Sequence, residues 1–129
     1  MSKGKGKGKV LGIGGFFIRS PDPASLAAWY RDHLGIAATQ SGQPTPEGEW
    51  VWMQDAGPTV FASFDAETDY WPPGKQVMLN LRVEGLEALL SRLEESGITA
   101  SHREEMDGVG SFARIRDPDG NPLELWEPA

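Results

Sequence analysis

Arg116 to Pro128 reads RDPDGNPLELWEP. Asp117 precedes a proline and is pushed toward extended backbone. Pro118 presets the first position of a turn, and Asp119, Gly120 and Asn121 supply residues that tolerate tight and left-handed geometry. Pro122 then opens a strand, where its missing donor does least harm. In PLELWE the side chains alternate, so Leu123 and Leu125 share one face and Glu124 and Trp126 the other. Turn chemistry accounts for this stretch except for Glu124, a carboxylate in the middle of an apolar strand.

Working outward, the same alternation recurs. Leu79, Leu81 and Val83 oppose Met78, Asn80 and Arg82. Ala113 and Ile115 oppose Phe112, Arg114 and Arg116, and Phe16 and Ile18 oppose Gly15, Phe17 and Arg19. Each aliphatic face suits packing against helices, and each opposite face mixes aromatic, polar and charged residues. Glu124 belongs to that mixed face. Two helices are expected. Asp22 is a natural N-cap and Pro23 a natural first residue for a stripe of Leu26, Trp29, Tyr30, His33 and Leu34, closed by Gly35. The second stripe is Leu86, Leu89, Leu90 and Leu93, closed by Gly97. EWVWMQ (49–54) and TVFASF (59–64) flank DAGP and predict a hairpin, and Ile36–Thr39 a short strand.

The chain then repeats itself. Gly35-Ile36 matches Gly97-Ile98 at an offset of 62, and Ile18-Arg19 matches Leu81-Arg82 at 63. Each half runs strand, helix, Gly-Ile, three strands. The expectation is an α+β fold of two βαβββ modules, about 10–64 and 75–128, joined by a linker over 65–74. A sheet covered by helices on one side, with a mixed second face, suggests a cleft or an interface.

The 129 residues fit one domain, 10–129, behind a basic lead, MSKGKGKGK, over 1–9. That lead holds four of the 12 Lys and Arg, leaving 8 basic against 19 acidic side chains and a net charge of −11. So acidic a body disfavours nucleic acid and suits a bulky cationic ligand. There is no cysteine, hence no disulfide or thiolate site, which fits a cytoplasmic location. No apolar run is long enough to span a membrane, and none of signal-peptide type follows the lead. Phosphate-loop and GxSxG patterns are missing.

LAAWYRDHLGI (26–36) and RDPDGNPLELWEP resemble the vicinal oxygen chelate superfamily, which includes glyoxalase I, extradiol dioxygenases, fosfomycin-modifying enzymes and bleomycin-resistance proteins. The resemblance spans Val10 to Pro128. It implies paired βαβββ modules forming a curled mixed sheet around a cleft, with helices on the outer face, usually in a homodimer, and with metal ligands on the first, fifth and eighth strands of the metal-using members. Carried over, those positions are Gly15, Met78 and Glu124. Glycine offers no side chain, and a thioether is a poor ligand for a hard metal. No metal is therefore expected. His33, on an apolar stripe, and His102, beside a polar loop, are read as ordinary histidines.

Glu124 has three open readings. It pairs with Arg114 on the same face, or recognises a ligand, or acts as a general base with Arg114, Asn80 or Ser63 holding the oxyanion. Trp50, Tyr70 and Phe112 add to the aromatic supply, and Tyr70-Trp71-Pro72-Pro73 is the most suggestive loop. The candidate ligand-binding set is Trp52, Phe61, Trp71, Asn80, Arg114 and Glu124, with Glu124 also the candidate catalytic residue. The leading reading is a glyoxalase/bleomycin-resistance-like protein with a degenerate metal site, binding a small organic molecule in an aromatic cleft. The alternatives are a metal-dependent glyoxalase- or dioxygenase-type enzyme, a metal-free lyase or isomerase using Glu124, and a dimeric scaffold without ligand.

Overall fold

The computed structural model describes residues 8–129, so the basic lead expected over 1–9 falls, through residue 7, outside the described residues. Helix α1 is Pro23–Leu34. Strand β1 (Leu79–Arg82), helix α2 (Leu86–Glu95) and strands β2 (Ser101–Met106), β3 (Gly110–Arg116) and β4 (Pro122–Pro128) follow. The strands form one mixed sheet in the order β1-β4-β3-β2. β1 runs parallel to β4, and the other pairs are antiparallel.

Local chemistry explains the ends of these elements. Asp22 caps α1 by accepting from the Ser25 amide at 3.1 Å, and Pro23 occupies the first turn. Gly35 ends the helix at φ 69°, a left-handed conformation that glycine adopts without strain. The start of α2 is capped from a distance: Glu127 on β4 accepts from the amides of Gly85 and Leu86, both at 3.0 Å. Those two bonds hold the Glu127 carboxyl below its ordinary pKa.

Both helices lie on one face of the sheet. Leu26 and Tyr30 of α1 and Leu86, Leu90 and Leu93 of α2 form a single core with Ala113, Ile115, Leu123 and Leu125. Fully burying a side chain such as Leu93 or Leu123 contributes roughly 1.5–3 kcal/mol, so this face carries most of the stability. Ile36 and Ala38 pack against the same core although Ile36–Thr39 forms no strand.

The two βαβββ modules curling a mixed sheet around a cleft are overturned. Only the second half builds strand, helix and three strands. The first half contributes α1 alone, and the sheet is open, with β1 and β2 as free edges. The segments 10–19, 49–54 and 59–64 have the composition of strands but no ladder. A strand persists only when its amides and carbonyls find a partner, and among the described residues no strand pairs with these segments. Their apolar side chains are left exposed, Phe17 at 95%, Leu11 and Phe61 at 89% and Met53 at 84%.

The β3–β4 turn is fastened by Asp117. Its buried carboxylate accepts from the amides of Asp119 (2.9 Å) and Asn121 (3.0 Å), from the Asn121 side-chain amide, and from the Tyr30 hydroxyl (2.7 Å). Burial, followed by the bond to Asp117, pushes the Tyr30 phenol well above its ordinary pKa, so it stays a donor. The Tyr30–Asp117 bond ties α1 to the sheet across 87 residues of chain. Tyr30→Phe is expected to lower unfolding free energy by about 1–3 kcal/mol, because one charge-assisted bond goes and a buried carboxylate loses a donor. Urea denaturation checks this, and an unchanged midpoint would count against it.

Candidate functional site

Glu124 stands in the centre of β4, 8% exposed, on the face away from the helices. β1 and β3 flank it, placing Asn80 on one side and Arg114 on the other in direct register. The Arg114–Glu124 ion pair, one of the three open readings, does not form. The only salt bridge among the described residues joins Arg103 to Glu87 at the surface. Asn80 donates its side-chain amide to Glu124 Oε1 at 2.8 Å, and Tyr70 donates its hydroxyl to Oε2. Arg114 instead lies over the Tyr70 ring, its guanidinium carbon 5.0 Å from the centroid. That distance is within cation–π range.

Tyr70 reaches Glu124 because the segment expected to be a linker folds back over the sheet. Trp71 donates its indole N–H to the Lys75 carbonyl at 2.7 Å, and Lys75 Nζ reaches the Asn121 side-chain oxygen at 3.3 Å. Phe64 stacks on Tyr70 (5.4 Å, 18° between planes) and meets Trp71 edge-on (5.1 Å, 77°). Nearby on the mixed face, Phe112 and Trp126 are parallel at 6.2 Å. Beside this roof lies an open pocket of about 510 Å³. Trp71, Pro72 and Pro73 of the loop line it, with Arg114 of β3 and with Thr99, Ser101 and His102, of which Ser101 pairs with Arg114 in the ladder.

The candidate set is only partly gathered. Asn80, Arg114, Glu124 and Trp71 come together. Trp52 (41% exposed) and Phe61 (89%) stand on the unpaired first-half segments, and neither ring meets another aromatic among the described residues. Ser63, just ahead of Phe64, is exposed, and the bonds to Glu124 come from Tyr70 and Asn80 instead. Tyr70 and Phe64 belong to the site but were not in the set. The signal for Tyr70 was its place beside Trp71 and two prolines.

The donor chemistry does not fit a divalent metal. Such a site needs several His or carboxylate groups converging, with positions left open. Among the described residues no three His, Asp or Glu side chains are grouped to hold an ion. Both Glu124 oxygens already accept hydrogen bonds. Gly15 lies outside the sheet and Met78 just ahead of β1. His33 packs against Trp29 at 5.5 Å, and His102 is exposed.

Tyr70 has a raised pKa, pushed from 10.0 to about 12 by burial and then by the bond to Glu124, against an opposing pull from Arg114. Its folded value exceeds the unfolded one. The associated stability is therefore whole below pH 10 and is lost as pH climbs from 10 toward 12. The sequence has two tyrosines, and both are raised. A spectrophotometric titration of the native protein is expected to show no phenolate at pH 10 and the first one near 12, and Tyr70→Phe should abolish that first step. Ordinary ionisation around 10 in the parent would contradict the geometry.

Comparison with known proteins agrees in one direction. Residues 15–126 match the model of the glyoxalase-like domain. The chain is similar to TnmS3, an antibiotic binding protein from Streptomyces sp. CB03234, with 25% identity and a TM-score of 0.58 over 88% of this chain and 93% of that one. It is similar in fold to a glyoxylase/bleomycin resistance protein/dioxygenase domain from Frankia sp. EAN1pec (22% identity, TM-score 0.55, covering 94% and 100%). The fold likeness extends to a lactoylglutathione lyase from Agrobacterium tumefaciens (21%, 0.50, covering 82% and 86%). No curated protein matches it.

Proposed function

Because the chain belongs to the glyoxalase-like domain family, within the vicinal oxygen chelate superfamily, we propose that it binds a small organic molecule at the mixed face of its sheet, without a resident metal. The observation that carries this reading is the state of Glu124. A carboxylate at the position that resembles the family's eighth-strand ligand has both oxygens engaged by Tyr70 and Asn80, and it supports an aromatic roof. In this reading Glu124 is neither ligand nor base. It is a positioning residue that fixes Tyr70, and through Tyr70 the rings of Phe64 and Trp71, beside the pocket. Rigid aromatic walls with a few fixed polar groups are what small-molecule sites are made of. The likeness to an antibiotic binding protein supports sequestration over turnover. The degenerate positions Gly15 and Met78 remain part of the proposal, since neither supplies a hard-metal ligand.

The test is a titration of intrinsic fluorescence with planar aromatic antibiotics, together with elemental analysis of the dialysed protein. Saturable binding is expected in the parent, weakened about tenfold or more in Trp71→Ala, where a packed aromatic contact is removed. Metal retained near one per chain would overturn the reading in favour of a glyoxalase- or dioxygenase-type enzyme.

A homodimer is part of the same proposal. Free edges at β1 and β2 and the exposed apolar runs around Phe17, Trp50 and Phe61 support it. Clustered exposed apolar side chains ordinarily mark an interface. Sedimentation across micromolar concentrations is expected to give twice the chain mass, and a monomer throughout would refute the dimer. No helix is long and apolar enough to cross a membrane among the described residues.

A further inference from the structure

Arg114 presents an unresolved charge. Its side chain is 7% exposed, its Nε is buried without a hydrogen-bond partner, and no carboxylate among the described residues lies within ion-pair distance. The carboxylate directly across the ladder, Glu124, is committed to Tyr70 and Asn80. A guanidinium removed from water without a counter-charge is costly by several kcal/mol. The Tyr70 ring face at 5.0 Å offsets only part of that cost. Arg114 lines the pocket of about 510 Å³ together with Thr99, Ser101, His102 and Arg116, and Ser101 is its register partner on β2. One carboxylate, Asp69, also lines the pocket.

From this we infer that the pocket takes an aromatic carboxylate, the anionic group seated on Arg114 and the ring system against Trp71 and Pro72. The inference rests on the small-molecule reading above and names its ligand class. A planar carboxylate matches the donor fork of a guanidinium. It would satisfy Nε, and the stacked Tyr70 ring holds the fork in one orientation. The assignment reverses the cationic ligand that the acidic body suggested.

The experiment compares naphthalene carboxylate with its neutral carboxamide, titrated by intrinsic fluorescence into the parent, Arg114→Gln and Asp69→Asn. Each variant's fold is checked by circular dichroism. The carboxylate is expected to bind the parent about tenfold more tightly than the carboxamide. Arg114→Gln should erase that preference. Asp69→Asn should sharpen the preference about threefold by removing a repulsive charge, and it tests the idea independently if Arg114→Gln does not fold. Equal affinities in the parent, or a preference that survives in Arg114→Gln or is unmoved in Asp69→Asn, would overturn the anion site and leave the aromatic pocket standing. Failure of both compounds to bind the parent would overturn the pocket as well.

Discussion

The Asp117 carboxylate is the constraint on which the rest of the molecule depends. It collects the amides of Asp119 and Asn121, the Asn121 side chain and the Tyr30 hydroxyl in one buried place. The amide bonds shape the turn between β3 and β4. The turn sets the register in which Arg116 faces Pro122 and Arg114 faces Glu124. A slip of one residue there would send Leu123 and Leu125 to the open face and Glu124 into the core. The Tyr30 bond anchors α1 over the same sheet, so one side chain fixes the register, the core and the geometry of the site. Bonds to charged groups contribute about 1.5–3 kcal/mol each, enough to make a buried aspartate a net asset.

Register put Arg114 and Glu124 opposite each other, yet the structure keeps them apart. The competition is among donors. Tyr70 and Asn80 satisfy the two oxygens of Glu124 with short, directed bonds. The carboxylate therefore resolves into a neutral-donor network, and the guanidinium is left stacked on a ring. The outcome is a fixed aromatic roof beside a cation without a partner. A satisfied pair would have left the mixed face electrostatically quiet.

The second half was legible because its determinants are local. Alternation along 79–83, 111–116 and 122–127 and the stripe of Leu86, Leu90 and Leu93 each specify one element from neighbouring residues, and the turn at 117–121 joins two of them. The same reasoning applied to 10–19 and 49–64 gave strands that the fold does not contain. Their composition suits a sheet, but a ladder needs a second strand, and no pattern in VLGIGGFFIR states where that partner is. The internal repeat therefore described a likeness of sequence between the halves, and only one half closed into a unit. The site followed the same division. Asn80, Arg114 and Glu124 were assigned to one face by alternation alone. Tyr70 was read as part of a linker, because its contact with Glu124 spans 54 residues and depends on the loop folding back over the sheet.

Net charge and the proposed anion site point in opposite directions for a related reason. Every aspartate and glutamate except Asp117, Asp119, Glu124 and Glu127 is exposed, so the acidity of the body resides on its surface. Exposed charges are screened within about 8–10 Å at physiological ionic strength. The potential inside a pocket is set by the few groups that are dry. On the mixed face those are Glu124, each of whose oxygens accepts a hydrogen bond, and Arg114, whose Nε has no partner. An acidic protein can thus present a positive recognition point, because the sum over the surface and the field at the site are governed by different residues.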